Sequence, residues 1–88
     1  MEPIKVLIVD DHQVVRQGLR AMIEEEEDIR VVGEASDGVE ALAMAKELAP
    51  TLVLMDIRMP KMDGLEATRQ LKGLSPATSV VMISVYDN

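Results

Sequence analysis

Two aliphatic runs that each end in aspartate decide the fold of this sequence: KVLIVDD at residues 5–11 and TLVLMD at residues 51–56. A near-continuous run of Val, Leu and Ile is typical of a parallel strand that is buried on both faces. Two further β-branched runs, IRVVGEA at residues 29–35 and SVVMISV at residues 79–85, predict two more strands. The sequence therefore predicts a sheet of four strands.

Helical patterns separate these strands. Residues 13–25 carry apolar side chains at helical spacing, and Asp37 and Asp63 each precede a glutamate by three positions, which is a capping signal. Pro50 ends the second helix, and the Ser-Pro pair at residues 75–76 ends the third. The order β-α-β-α-β-α-β predicts a doubly wound α/β fold, in which helices cover both faces of a parallel sheet.

Composition excludes several classes of protein. Nine basic against sixteen acidic residues give a net charge of −7, whereas nucleic acids and anionic membranes attract a basic surface. The chain contains no cysteine, which excludes a disulfide framework and fits the reducing cytoplasm. No apolar run approaches the roughly 18 residues of a membrane span, and the first residues lack a signal-peptide pattern. We therefore expect one cytoplasmic domain without membrane contact.

Three of the four predicted strands end at polar side chains: Asp10 and Asp11, then Asp56, and finally Ser84. In open α/β sheets, ligands bind beyond the carboxyl ends of the strands, so these side chains are expected at one site. Three carboxylates there would repel one another, and a divalent cation such as Mg²⁺ would offset this repulsion. An aspartate can also attack phosphorus to give an acyl phosphate. Each residue alone is more often a turn, cap or backbone-bonded residue, and His12 is expected to be a solvated or capping residue.

Three segments resemble the receiver domain of bacterial two-component response regulators: VLIVDDH at residues 6–12, LMDIRMPKMDG at residues 54–64 and MISV at residues 82–85. The D-x-x-M-P-x-x-x-G pattern that begins at Asp56 is highly specific, and the resemblance covers essentially the whole chain. The segment VVGEASDG at residues 31–38 is similar to the NarL/FixJ-like branch. That branch usually carries a C-terminal helix-turn-helix domain that binds DNA.

The resemblance implies a role for each site residue. Asp56 would be the phosphoacceptor, which takes a phosphoryl group from a histidine kinase. Asp10 and Asp11 would hold Mg²⁺ together with Asp56 and the backbone carbonyl of Arg58, and Ser84 would be the switch hydroxyl. Such a protein is not a metabolic enzyme, although it contributes to its own phosphorylation and dephosphorylation. In the intact protein it would regulate transcription through a DNA-binding output.

The sequence departs from the receiver pattern after its fourth strand. A complete receiver continues with a fourth helix, a fifth strand that carries a lysine, and a fifth helix, so residues 1–88 resemble an incomplete receiver with strand order 2-1-3-4. In that order the apolar strand at residues 79–85 lies at an open edge, which favours pairing with another chain. We therefore expect a homodimer or a segment-swapped oligomer, with impaired phosphorylation and with DNA contact only through a segment outside this chain.

The sequence leaves two other functions open. An aspartyl-phosphate phosphatase of the haloacid-dehalogenase type would need a second aspartate two positions after Asp10, but position 12 is histidine. A protein-interaction module could keep the receiver fold without being phosphorylated. Binding of Mg²⁺ would distinguish a signalling site from such a module.

Overall fold

The computed structural model describes residues 2–57, 59 and 62–83 of the chain. Strands and helices alternate along it as the sequence predicts. The strands are β1 (Ile4–Val9), β2 (Ile29–Ala35), β3 (Leu52–Asp56) and β4 (Ser79–Ile83), and the helices are α1 (Gln13–Ile23), α2 (Gly38–Leu48) and α3 (Gly64–Leu74). No helix within these described ranges is long and apolar enough to cross a lipid bilayer.

The four strands form one parallel sheet in the order β2-β1-β3-β4. This order confirms the predicted fold, and it places β1 and β3 side by side at the centre. Among the described strands, β4 lies at one edge of the sheet, where it pairs with β3 only. The expected pairing of this edge with a second chain stays a prediction, which light scattering would check.

Two hydrophobic layers hold the helices on the sheet. α1 covers one face, where Val6, Ile8 and Val31 are buried with Leu19 and Ile23 of the helix packed against them. α2 and α3 cover the other face through small side chains. That layer contains the buried residues Leu7, Val9, Ala35, Ala41, Ala45, Val53, Met55, Ala67 and Leu71. Helices therefore cover both faces, as a doubly wound fold requires.

The predicted helix caps at Asp37 and Asp63 are confirmed. The side chain of Asp37 accepts a hydrogen bond from the Glu40 backbone N–H at 2.8 Å, and that of Asp63 accepts one from the Glu66 N–H at 2.9 Å. Each bond satisfies a backbone donor that has no partner within the helix. These caps fix where α2 and α3 begin, next to the ends of β2 and β3.

β2 contains one irregularity opposite β1. Val6 pairs with Val31, whereas Leu7 pairs with Gly33, so β2 holds one extra residue at this point. The bulge changes which residues of β2 face each side of the sheet. As a result, Glu34 near the end of β2 faces the α1 side of the sheet, where it forms ion pairs with arginines of that helix.

Candidate functional site

The carboxyl ends of β1 and β3 bring four metal-ligating side chains together. Asp10, Asp11 and His12 follow β1, and Asp56 is the last residue of the neighbouring β3. One ligand atom of each residue lies within 4.8 Å of those of the other three. Asp10 and Asp56 are fully buried, whereas Asp11 and His12 are partly exposed. The structure thus brings together the three aspartates that the strand order predicts at one site.

Asp10 accepts two hydrogen bonds on one of its side-chain oxygens. Its Oδ1 accepts hydrogen bonds from the His12 backbone N–H at 2.7 Å and from the His12 ring at 2.9 Å. Its Oδ2 is buried and has no hydrogen-bond partner among the described residues. A buried carboxylate oxygen without a partner costs free energy, so this atom suits a cation ligand.

His12 lies between the two acidic residues after β1. Its Nδ1 lies 2.9 Å from Asp10 Oδ1 and 3.0 Å from Asp11 Oδ1. The hydrogen bond with Asp10 raises the pKa of the imidazole above its ordinary value, the charges of Asp11, Asp10 and Asp56 add to this, and desolvation opposes it. His12 is the N-cap residue of α1 but makes no side-chain cap. The sequence did not predict its contacts with both acids.

We expect the pKa of His12 in the folded, metal-free chain to exceed its value in the urea-unfolded chain. NMR titration of the ring protons measures both values. Because the pKa of His12 is higher in the folded chain, protonated His12 stabilises the fold. This stabilisation is full below the pKa of the unfolded chain and is lost as pH rises through the pKa of the folded chain. Asp10→Asn should lower the folded pKa, because it weakens the strongest of the contacts that raise it. A folded value equal to the unfolded one would contradict this.

Two predicted site residues, Ser84 and Arg58, lie outside the described residues. β4 is described as far as Ile83, which is the register partner of Asp56. The Ile57 backbone N–H donates to the Ile83 carbonyl at 3.3 Å, so the backbone that follows Asp56 is tied to the end of β4. The roles of Ser84 and of the Arg58 carbonyl stay predictions.

Gly64, at the start of α3, packs directly on the phosphoacceptor candidate. Its N–H donates to the Ile57 carbonyl at 3.0 Å, and a Cβ at this position would overlap the carbonyl oxygen of Asp56. Only glycine allows this approach, because every other residue would force the backbone apart. The packing joins the N-terminus of α3 to the end of β3.

The sequence profile of the response regulator receiver domain matches residues 6–88. The chain belongs to this family. Among its relatives is LiaR of Bacillus subtilis (strain 168), a transcriptional regulatory protein, which is 49% identical over 86 residues. The match spans 97% of this chain but only 41% of LiaR, so the receiver corresponds to less than half of that relative.

Solved receivers share the fold. The signal receiver domain of NarL from Mycobacterium tuberculosis superposes with a TM-score of 0.91 at 35% identity, over 100% of this chain and 71% of that one. A chain of the CheX-CheY-BeF3-Mg²⁺ complex from Borrelia burgdorferi gives a TM-score of 0.86 at 32% identity, over 99% of this chain and 66% of that one. The predicted family and fold are therefore confirmed. Receivers are signalling domains rather than metabolic enzymes, so the phosphatase alternative does not apply.

Proposed function

We propose that this receiver accepts a phosphoryl group from a histidine kinase onto Asp56, with Mg²⁺ held by Asp10, Asp11 and Asp56. One observation carries the proposal: in a chain of the receiver family, the buried Asp56 lies at the carboxyl end of β3 with its ligand atom within 4.8 Å of those of Asp10 and Asp11. Ligands bind at this end of the strands in open α/β sheets.

The donor set fits magnesium. Mg²⁺ prefers hard oxygen ligands and is commonly bound through one or two carboxylates while it keeps several waters. Asp10 Oδ2, buried without a hydrogen-bond partner among the described residues, supplies such a ligand. When bound, the cation would offset the charge that develops on the transferred oxygens. The proposal also includes the Arg58 carbonyl as a further Mg²⁺ ligand and the Ser84 hydroxyl as the switch group. The similar structure from Borrelia burgdorferi is a complex that contains Mg²⁺.

The transfer step uses the Asp56 carboxylate as the nucleophile. One of its oxygens attacks the phosphorus of a phosphohistidine, and the bond between phosphorus and the imidazole nitrogen breaks. The electron pair of that bond stays on the imidazole, and Asp56 becomes an acyl phosphate. In this scheme the donor histidine belongs to the kinase, and His12, which lies against Asp10 and Asp11, is not the donor.

In the intact protein we propose that this signal controls transcription through a DNA-binding output outside residues 1–88. LiaR, a transcriptional regulatory protein, is more than twice as long as the matched segment. The net charge of −7 on this chain also favours DNA contact elsewhere in the protein. A cytoplasmic location and dimerisation, both predicted from the sequence, are parts of the same proposal.

Magnesium-dependent labelling tests this function. Because phosphorylation of this chain is expected to be impaired, we expect acetyl phosphate to add a single phosphoryl group to only part of the chains when Mg²⁺ is present, and to none when a chelator removes it. Intact-mass spectrometry measures the gain, and mild alkali should reverse it because an acyl phosphate hydrolyses readily. Labelling that does not depend on Mg²⁺, or no labelling at all, would contradict the proposal and favour an interaction module.

A further inference from the structure

Arg16, in the first turn of α1, contacts the backbone of the acidic cluster, which is formed by Asp10, Asp11 and Asp56. Its Nη1 donates to the carbonyl oxygen of Asp10 at 2.6 Å, and its Nε donates to Oε1 of Glu34 at 3.0 Å. The side chains of Arg16 and Glu34 are 16% and 24% exposed, so this contact is largely shielded from solvent. Glu34 therefore orients the guanidinium, and the guanidinium holds the Asp10 carbonyl.

Arg20, one turn further along α1, shares the carboxylate of Glu34 but not the contact with Asp10. Its Nη1 donates to Oε2 of Glu34 at 2.6 Å, and its Nε donates to Glu24 at 3.2 Å. Both arginines thus pair with Glu34 at similar distances, and each carries one positive charge. The structure supplies in Arg20 a matched comparison for Arg16.

We propose that Arg16 is a positioning residue that sets the direction of the Asp10 and Asp11 carboxylates, an inference that rests on the magnesium site proposed above. The Asp10 N–H donates to the Ala35 carbonyl at 3.0 Å, and the Asp10 carbonyl accepts from Arg16. Since each peptide unit is planar, these two bonds fix the peptide planes on both sides of Asp10. They therefore fix where the side chain of Asp10 leaves the backbone and where that of Asp11 begins.

Whether replacing Arg16 weakens or strengthens Mg²⁺ binding distinguishes a positioning role from a purely electrostatic one. If Arg16 acted only through its positive charge, replacing it by a neutral residue would strengthen binding of a cation nearby. A positioning role predicts the opposite result, since loosened carboxylates bind Mg²⁺ more weakly. Partners that orient metal ligands are worth about 10–100-fold in metal affinity.

Mg²⁺ titrations followed by NMR of the backbone amides test the inference on the parent, Arg16→Gln and Arg20→Gln. We expect Arg16→Gln to weaken Mg²⁺ binding about 10-fold, whereas Arg20→Gln should bind like the parent. A second readout needs no metal: the carbonyl ¹³C resonance of Asp10 in the Mg²⁺-free chain should shift in Arg16→Gln and stay in place in Arg20→Gln. The shift reports the lost hydrogen bond itself.

Tighter or unchanged binding in Arg16→Gln, or equal weakening in both variants, would overturn the positioning role. If Arg16→Gln does not fold, Arg16→Lys carries the test, because lysine keeps the charge but cannot bond the Asp10 carbonyl and Glu34 through one rigid fork. Weaker binding in Arg16→Lys supports positioning, and parental binding overturns it. If the parent itself binds no Mg²⁺ while the Asp10 resonance still shifts in Arg16→Gln, the proposed magnesium site is wrong and this inference falls with it.

Discussion

Asp56→Asn is expected to take up no phosphoryl group from acetyl phosphate under conditions that label the parent. The substitution replaces an anionic carboxylate by a neutral amide of nearly the same shape, so it removes the nucleophile and leaves the packing at the end of β3 almost unchanged. A neutral amide oxygen does not form a stable acyl phosphate, and the loss should therefore be complete rather than partial. Intact-mass spectrometry with and without Mg²⁺ measures it.

Asp63→Asn is the matched control for this experiment. Asp63 lies on the same loop-to-helix segment as the site, but it is exposed and its side chain caps α3 by accepting from the Glu66 N–H at 2.9 Å. Asparagine caps helices about as well as aspartate does, so the control should fold and should label like the parent. It removes the same charge from the chain without touching the acidic cluster.

Labelling of Asp56→Asn at the parental rate would show that another carboxylate is the acceptor. Asp10 and Asp11 are the first candidates, since their ligand atoms lie within 4.8 Å of that of Asp56. Peptide mapping of the labelled variant would then locate the acyl phosphate. Circular dichroism of both variants checks that a loss of labelling is not a loss of structure.

The fold could be predicted from the sequence because its signals are local. Aliphatic runs mark strands that are buried on both faces, and the caps at Asp37 and Asp63 depend only on residues three positions apart. The strand boundaries also depend on distant contacts: β1 begins at Ile4, one residue before the predicted start, where the Ile4 N–H donates to the Asp28 carbonyl at 2.8 Å. Asp28 is distant from Ile4 along the chain, so no local sequence pattern predicts this hydrogen bond.

The acidic cluster could also be predicted, because strand ends at one edge of a parallel sheet must meet once the strand order is known. Asp10, Asp11 and Asp56 meet there. The position of His12 between the two acids could not be predicted, since the ring direction depends on the turn that follows β1. A local signal did exist in the adjacent acids, but it fitted a solvated or capping histidine equally well.

The contacts by which Arg16 and Glu34 hold the Asp10 backbone could not be predicted from the sequence either, for a different reason. These two residues are 18 positions apart, and Glu34 meets α1 only because a bulge in β2 changes which of its residues face each side of the sheet. Neither the bulge nor the pairing of long charged side chains follows from hydrophobic periodicity. The structure therefore adds the groups that hold the site, whereas the sequence predicts the groups that form it.

Gly64→Ala is expected to lower the free energy of unfolding by about 1–3 kcal/mol, the usual cost of overpacking a well-packed site. The new methyl group would overlap the Asp56 carbonyl oxygen and would lie 2.8 Å from the Met82 methyl group. Met82 can change rotamer, but the Asp56 carbonyl belongs to a strand held by hydrogen bonds on both sides. The cost therefore falls on the backbone at the end of β3, and urea unfolding measures it.

Gly18→Ala is the control, and it is expected to change the free energy of unfolding in the opposite direction. Gly18 lies within α1, and a Cβ there would meet no atom within 4 Å apart from its chain neighbours and the nearby backbone of its own helix. Alanine should therefore raise the free energy of unfolding by about 0.5–1 kcal/mol. Both variants add one methyl group to a helical glycine, and opposite signs would isolate the contact with Asp56. If Gly64→Ala proves as stable as the parent, the start of α3 can move away from Asp56 without cost. The close packing of α3 on Asp56 would then not constrain the site, and a change at Asp56 could not act on α3 through it.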